Sequence, residues 1–171
     1  LDNTAAGAGG LLFLPWLAGS MSPSSSSEMR GGFIGMSLST SRSDVLRATV
    51  EGVARNLRWL SPAVDALCGR SGEELVFAGG AARSGAVAQV LADVTGQPVH
   101  VVERPEIAAA LATGQVAARR SAGIDPSTVA LPITSEYFPD PATREVHDNL
   151  QPVFEAAFTV SAPICQSLVH E

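Results

Sequence analysis

Short apolar runs and helix-periodic stretches follow one another along most of the chain. Apolar runs bounded by glycine or proline predict strands at residues 11–17, 31–38, 74–78 and 99–102. Apolar residues at helical spacing predict helices at residues 44–60, 84–95 and 108–118. The pattern predicts short strands separated by amphipathic helices.

The helix at residues 44–60 has one apolar and one polar side. Ser43 is placed to cap it, and Arg47, Glu51 and Arg55 lie four residues apart on the polar side. We interpret these three as a ladder of exposed ion pairs, each worth roughly a few tenths of a kcal/mol, rather than as catalytic groups. The predicted buried stripe consists of Leu46, Val50, Val53, Leu57 and Leu60.

Prolines and glycines shape the predictions for the rest of the chain. Residues 62–68 could form a second short helix, and Arg104-Pro105-Glu106 is a typical helix start. The helix beginning there is expected to turn Ile107, Leu111 and Ala118 inward. Residues 124–138 are predicted as a connection. Residues 144–168 are predicted as a broken or kinked helix, interrupted by Pro152 and Pro163.

Two adjacent glycines, Gly79 and Gly80, separate the strand at 74–78 from a helix that Ser84 can cap. Without a Cβ, these residues can adopt positive φ and let the backbone lie against a flat base or a ribose. The turn is therefore a candidate nucleotide site. An ordinary strand-to-helix connection explains the same glycines, since they lack the spacing of stricter nucleotide fingerprints.

Composition limits the classes of function. The 171 residues suffice for one domain, and 46% hydrophobic against 16% charged residues is too apolar for a disordered chain. No apolar run is long enough to cross a membrane. The net charge of -6 argues against a nucleic-acid-binding surface, because phosphate backbones are held by basic side chains.

Every basic residue is arginine, which excludes a P-loop lysine or a Schiff-base lysine from this chain. Cys68 and Cys165 lie far apart in sequence, so we expect no metal site and a reducing, cytoplasmic setting. The three histidines, His100, His147 and His170, are scattered, and none is predicted to be catalytic.

Four blocks of sequence carry a family resemblance. They are Gly-Leu-Leu-Phe-Leu-Pro-Trp-Leu-Ala-Gly at 10–19, Arg-Gly with Phe-Ile-Gly-Met-Ser-Leu at 30–38, Arg-Ala-Thr-Val-Glu-Gly-Val-Ala at 47–54, and Gly-Gly-Ala-Ala-Arg-Ser at 79–84 with the helix and strand that follow to residue 99. In this order they resemble the C-terminal, nucleotide-binding lobe of the FGGY carbohydrate kinases, and most of all the xylulokinase branch. The resemblance covers about residues 10–118.

This resemblance implies an α/β fold, the actin-like (ribonuclease H-like) ATPase fold, of which the chain would be the second lobe. The first strands of the sheet would then lie before Leu1. Residues 1–171 would form a partial lobe, with a family core at 10–118, a connection at 119–143 and a helical tail at 144–171.

The resemblance also implies transfer of the γ-phosphoryl group of ATP to a sugar hydroxyl with Mg²⁺, and favours a xylulose-like pentulose. The adenosine pocket would fall on Gly79, Gly80, Ala81, Arg83 and Ser84. The catalytic aspartate would belong to the preceding lobe of the same polypeptide, so this segment alone is expected to be inactive. Its partners would be ATP, the sugar, the preceding lobe and, as one option, a second copy in a homodimer.

Two departures from the family keep alternatives open. Residues 19–23 read Gly-Ser-Met-Ser-Pro where the xylulokinase branch often has Gly-Glu-Arg-Thr-Pro. Residues 110–114 read Ala-Leu-Ala-Thr-Gly where that branch has Ala-Leu-Gly-Ala-Ala, so the glycine expected to allow close packing stands at a different position. A non-catalytic actin-like module that binds adenine nucleotide is one alternative. A dinucleotide-binding fold is another, with Glu103 holding a ribose, although Gly79, Gly80 and Gly85 do not form G-x-G-x-x-G.

Overall fold

The computed structural model describes residues 4–69, 71–123 and 132–169. Within these ranges the chain forms strands and α-helices, most of them linked by short connections, with a longer one between residues 15 and 31. In chain order they are β1 (Leu12–Leu14), β2 (Gly32–Ile34), α1 (Arg42–Cys68), β3 (Leu75–Phe77), α2 (Gly85–Thr95), β4 (Val99–Val102), α3 (Ala108–Ala122), β5 (Ile133–Tyr137) and α4 (Arg144–Val169).

Two small sheets organise these elements. The larger has the order β3-β4-β5, with β3 parallel to β4 and β5 antiparallel to it. β3 and β4 are joined through α2, as parallel neighbours require a crossover connection. β1 and β2 form a separate antiparallel ribbon in which Phe13 lies opposite Phe33.

The helices form two layers on the larger sheet. α2 packs against β4 and side by side with α1, and α4 packs across α1 and α2. The core of the first layer contains Val90 and Val94 of α2 together with Val99 and Val101 of β4. The order of layers is therefore sheet, then α1 with α2, then α4.

A second hydrophobic core packs the β1–β2 ribbon and the segment after β1 against α4. Trp16 lies edge-on to Phe158, with ring centroids 4.9 Å apart, and 5.2 Å from Phe154. The Trp16 Nε1–H donates a 3.0 Å hydrogen bond to Oδ1 of Asn56 in α1. Since the indole nitrogen is satisfied, this large side chain is buried without an unpaired donor.

Several elements differ from the sequence predictions. α1 is one helix of 27 residues that continues through Pro62, and Ser41, not Ser43, is its N-cap in a capping box with Asp44. α4 is likewise one helix from Arg144 to Val169, so the predicted helical tail is not broken at Pro152 or Pro163. A single proline removes one backbone hydrogen bond, and packing of the flanking turns keeps both helices intact.

β5 lies in the segment predicted as a connection. Its sequence is polar and its residues are mostly exposed, because it forms the outer edge of the sheet. An edge strand needs no continuous apolar run, which is why the hydrophobic pattern did not show it. Residues 124–131 of the predicted connection lie outside the described residues.

The predicted buried stripe of α1 is wrong for three of its five residues. Leu46, Val53 and Leu57 are 41–52% exposed, whereas Val50 and Leu60 are half-buried and Val50 packs against the core. The polar residues Arg47, Glu51 and Arg55 are buried. α1 lies so close to β1 that a Cβ on Gly52 would collide with the Phe13 carbonyl oxygen. Because this close approach fixes the rotation of the helix, the polar side faces inward.

The buried polar side forms a network centred on Glu51. Its Oε1 accepts hydrogen bonds from Nε of Arg47 at 2.7 Å and from the backbone N–H of Gly7 at 3.0 Å. Its Oε2 pairs with Nη2 of Arg55 at 3.4 Å. The predicted surface ladder is therefore a buried charge cluster, a correction to the sequence interpretation.

Arg55 extends the network to α4. Its guanidinium donates to the carbonyl oxygen of His147 at 3.2 Å and lies 3.1 Å from Nδ1 of the same residue. A guanidinium can only donate, so Nδ1 is the acceptor and the proton of the neutral ring is on Nε2. Burial lowers the pKa of His147, which favours this neutral form.

None of the helices in the described ranges combines the length and apolarity needed to cross a membrane. α3 has no fully buried residue, although Leu111 and Ala118, predicted to face inward, are among its half-buried positions.

We predict that Glu51→Gln destabilises the protein by about 3 kcal/mol, because two buried guanidinium groups lose their counter-charge. Urea unfolding followed by circular dichroism measures the change. Glu73→Gln, at an exposed position, serves as the control and should change the free energy of unfolding by less than about 0.5 kcal/mol. Equal stability of the two variants would contradict a structural role for the Glu51 charge.

Candidate functional site

The glycine turn after β3 has a backbone conformation that only glycine adopts readily. Gly79 has φ +97° and ψ -179°, in a region that costs other residues about 1–3 kcal/mol. Its N–H donates a 2.7 Å hydrogen bond to the carbonyl oxygen of Pro105. The turn is thereby tied to the loop that follows the neighbouring strand β4.

The residues after Gly79 form a single 3₁₀ turn, Gly80–Arg83, that leads into α2. Ala82 is 4% exposed and anchors this turn in the core beneath α2. Ser84 caps α2, and its Oγ accepts a 3.4 Å hydrogen bond from the N–H of Val87. The predicted cap is confirmed, whereas Ala82 was not recognised as the anchor.

The outer face of the turn is bare backbone. A Cβ added to Gly79 or to Gly80 would meet no atom within 4 Å. Gly80, Ala81 and Arg83 are exposed, and Gly79 and Ser84 are half-buried. No neighbouring side chain in the described part of the chain fills the space beside the two glycines, so a flat group can approach the main chain there.

An open depression of about 430 Å³ lies beside the turn. Among the predicted site residues, Arg83 borders it, whereas Gly79, Gly80, Ala81 and Ser84 do not. The other lining residues come from the turn, the end of β4, the following loop and β5. They are Ala82, Gly85, Val101, Val102, Glu103, Arg104, Pro105, Glu106, Thr134, Ser135 and Tyr137.

The depression combines two guanidinium groups with hydroxyl groups. Arg83 and Arg104 can attract an anion, and Thr134, Ser135 and Tyr137 can form hydrogen bonds. Two carboxylates, Glu103 and Glu106, line the same surface, so its charge is mixed.

Sequence reasoning did not find Arg104 or Tyr137. Arg104 has φ +49°, unusual for a residue with a side chain, and directly follows the strand end that faces the turn. A Cβ on Gly85 would lie 2.6 Å from the Tyr137 hydroxyl oxygen, so glycine is needed there to admit the ring. The position of Arg104 after β4 was a usable signal, since loops at the carboxyl ends of parallel strands often form sites.

A second cavity, of about 280 Å³, is an apolar groove between α1 and β3. It is lined by Leu57, Leu60, Val64 and Leu75 among others, and it contains none of the predicted site residues. Its lining also includes the polar residues Ser61, Asp65, Glu74 and Gln97, and we interpret the groove as a packing surface.

In the described ranges, no three His, Cys, Asp or Glu side chains come together in a way that could hold a metal ion. His100 lies between Glu74, at 3.2 Å, and Glu136, at 3.4 Å, across the three strands. His147 belongs to the Glu51 network, and His170 lies outside the described residues. Cys68 and Cys165 are both free thiols.

Comparison with known proteins decides the family. Residues 1–118 match the model of the FGGY family of carbohydrate kinases, C-terminal domain. The chain belongs to this family. Its resemblance to the FGGY kinases, inferred from four blocks of sequence, is thereby confirmed.

Curated FGGY relatives have several substrates in their names. The glycerol kinase of Acaryochloris marina strain MBIC 11017 is 35% identical over 106 residues, which cover 62% of this chain and 20% of the relative. The xylulose kinase of Escherichia coli strain K12 is 26% identical over 155 residues, covering 89% of this chain and 32% of the relative. The chain thus spans a third or less of the length of these relatives.

The fold agrees with a solved FGGY kinase. The crystal structure of xylulose kinase from Rhodospirillum rubrum superposes with a TM-score of 0.77 at 30% sequence identity, covering 96% of this chain and 33% of that one. The described structure is therefore the α/β, actin-like ATPase fold of an FGGY C-terminal lobe, as the sequence predicted, and the chain is similar to xylulose kinases.

We predict stability effects of different size at the two neighbouring glycines. Gly79→Ala should destabilise the protein by roughly 1–3 kcal/mol, because alanine is strained at this φ and ψ. Gly80→Ala should change stability by less than about 1 kcal/mol, since its φ is not positive and its added Cβ meets open space. Thermal and urea unfolding measure both. Equal losses would contradict a special role for the Gly79 conformation.

Proposed function

We propose that this chain is the nucleotide-binding part of an ATP-dependent carbohydrate kinase, which transfers the γ-phosphoryl group of ATP to a sugar hydroxyl. Membership of the FGGY family supports a kinase. The unobstructed glycine turn at Gly79 and Gly80 is the observation that supports placing the nucleotide-binding site there. In this proposal residues 10–118 are the family core, 119–143 a connection and 144–171 a helical tail.

The adenosine of ATP is proposed to lie against Gly79, Gly80 and Ala81. The space beside both glycines fits a flat base, since no atom would contact even an added Cβ. Arg83 is exposed at the rim, where its guanidinium can stack on the base or attract an anion. Ser84 accepts the capping hydrogen bond of α2, which leaves its hydroxyl proton available to donate to the ligand.

The described ranges contain no group of three His, Cys, Asp or Glu side chains that could hold a metal ion by themselves. Mg²⁺ would instead be held mainly by the phosphate oxygens of ATP and by the preceding lobe. We therefore assign neither a metal ligand nor a catalytic residue to this chain. Phosphoryl transfer depends mainly on positioning and charge stabilisation. The residues named above contribute by fixing the position of the nucleotide.

A xylulose-like pentulose is our favoured sugar. The support is the likeness to the xylulose kinases of Escherichia coli and Rhodospirillum rubrum. The segment at residues 19–23 lacks the charges common in that branch. Within this segment Ser20 forms two reciprocal 2.8 Å backbone hydrogen bonds with Ser26.

We propose that the preceding lobe packs against apolar surfaces that are exposed in the described part of this chain. Leu46, Val53 and Leu57 of α1 are exposed, and the apolar groove continues from α1 to β3. Among the described strands, β3 pairs with β4 alone, so one edge of β3 can accept another strand. ATP and the sugar would then bind between the two lobes, in the cytoplasm.

A non-catalytic nucleotide-binding module is the second candidate. The uncharged sequence at residues 19–23 favours it, because those positions carry both charges in many xylulokinase-like sequences. Such a module would bind ATP at the same turn but would transfer no phosphoryl group to any sugar.

We predict that Gly80→Leu in the complete polypeptide weakens ATP binding at least tenfold, because the side chain occupies the space proposed for adenosine. Isothermal titration calorimetry measures the affinity. Gly114→Leu is the matched control, since Gly114 is exposed on α3 and also meets no atom within 4 Å of an added Cβ. Unchanged affinity in Gly80→Leu would reject the pocket.

We further predict sugar-dependent ATP turnover by the complete polypeptide and none by the isolated 171-residue chain, since half of a cleft cannot align the reacting groups. A coupled ADP assay with pentuloses, hexuloses and polyols tests both proteins. ATP binding without turnover on any of these sugars would favour the non-catalytic module and end the kinase proposal.

A further inference from the structure

The start of α4 is held on α1 by a contact between two buried side chains. Nη2 of Arg55 lies 3.1 Å from Nδ1 of His147, and Nη1 of Arg55 donates a 3.2 Å hydrogen bond to the His147 carbonyl oxygen. Both side chains are fully buried. His147 belongs to the first turn of α4, so this contact fixes the beginning of the helix on α1.

The contact requires an uncharged histidine ring. A guanidinium group can only donate, so Nδ1 of His147 has to supply a lone pair. A ring that gains a proton carries an N–H group on both nitrogens, and its Nδ1–H would then face a donor of Arg55. Two positive charges at this distance also repel each other strongly where water is excluded. Protonation of His147 therefore breaks the hydrogen bond and makes the contact repulsive.

The charged groups that act on His147 lie on two helices. α1 contributes Arg47, Glu51 and Arg55, and α2 contributes Asp93. The carboxylates favour a positive ring and the guanidinium groups oppose it. Burial has the largest effect, and the net result lowers the pKa of His147 below its ordinary value of 6.5. The neutral ring is therefore the stable form at neutral pH.

Both nearby carboxylates already have partners. Glu51 is bonded within the buried network of α1, and Oδ1 of Asp93 accepts hydrogen bonds from Gln89 at 2.8 Å and from the N–H of Asp140 at 2.9 Å. In the described part of the chain, Nε2 of His147 has no hydrogen-bond partner. Protonation of the ring thus loses the hydrogen bond to Arg55 without an available acceptor to replace it.

A second link between the two helices responds to acid differently. Asp148 pairs with Arg58 of α1 and accepts a 2.8 Å hydrogen bond from Nε of Arg144. The hydrogen bonds from Arg58 and Arg144 lower the pKa of Asp148, so this carboxylate stays charged in mild acid. Its side chain is 41% exposed, and water screens the pair. Of these two links, the His147 contact is the one that mild acid weakens.

We propose that the contact between Arg55 and His147 is an acid-sensitive device, which holds the start of α4 on α1 at neutral pH and releases it in mild acid. Farther along the helix, Phe154 and Phe158 pack against Trp16. This aromatic contact contains no titratable group, so the opening is confined to the first turns of α4.

The direction of the pH effect follows from proton binding in the two states. The solvated ring of the open state binds a proton with the ordinary pKa of about 6.5, whereas the buried ring of the closed state has a lower pKa. The open state therefore binds more protons in mild acid. The closed state is fully favoured above about pH 6.5 and is lost as the pH falls below this value.

Hydrogen–deuterium exchange of backbone amides in the complete polypeptide tests the proposal. After correction for the intrinsic effect of pH, residues 148–156 should exchange roughly three- to tenfold faster at about pH 5.5 than at about pH 7.5, since one proton changes an equilibrium by at most about tenfold per pH unit. The amides of α2 are the internal reference and should show no such change. Equal protection of residues 148–156 at both pH values would overturn the proposal.

His147→Asn separates this device from a general effect of acid. The asparagine amide oxygen can accept a hydrogen bond from Arg55 but cannot gain a proton, so exchange should lose its pH dependence whatever its absolute rate. Asp148→Asn is the matched control on the same helix. It removes the link to Arg58, so exchange should be faster at both pH values and still increase in acid. An unaltered acid effect in His147→Asn would contradict the proposal.

Exchange of the histidine C2 hydrogen, assigned to single histidines by mass spectrometry, decides the case if His147→Asn fails to fold. In the unmodified polypeptide the midpoint for His147 should lie below 6.5, in the pH range where the start of α4 loses protection. A midpoint at or above 6.5, or a loss of protection in a different pH range, would assign the opening to another group.

Discussion

The burial of Glu51 is the constraint on which much of the structure depends. Its two carboxylate oxygens bind Arg47, Arg55 and the backbone of Gly7, so one side chain joins α1 to the N-terminal turn. Arg55 then carries the connection to His147 in α4. A buried carboxylate is tolerated only when its hydrogen-bonding capacity is satisfied, and this requirement agrees with the helix rotation that the close approach of Gly52 to the Phe13 carbonyl oxygen fixes.

The glycine turn depends on the same scaffold in a different way. Ala82 anchors it in the core, and the Gly79 N–H is bound to Pro105, so the turn is held at both ends while its outer face stays open. A rigid, bare stretch of main chain is a preorganised surface for a planar ligand, because little conformational entropy is lost on binding. Gly79 therefore contributes both to the stability of the fold and to the proposed nucleotide site.

An apolar surface of the described residues remains uncovered beside the larger sheet. The exposed side of α1 lies next to the groove that reaches β3. A groove beside an unpaired strand edge suits an extending sheet.

By itself the sequence determined the local elements around the candidate site: β3, the turn at Gly79, the Ser84 cap and the end of α2 at Gly96. These follow from hydrogen bonds and dihedral preferences within a few residues, which a sequence records directly. Only the tertiary structure decided which side of α1 is buried, that β5 forms an edge strand, and that Arg83 borders a depression with Arg104. Each of those outcomes depends on neighbours distant in sequence, because burial and strand pairing are properties of the surface an element meets rather than of its own pattern.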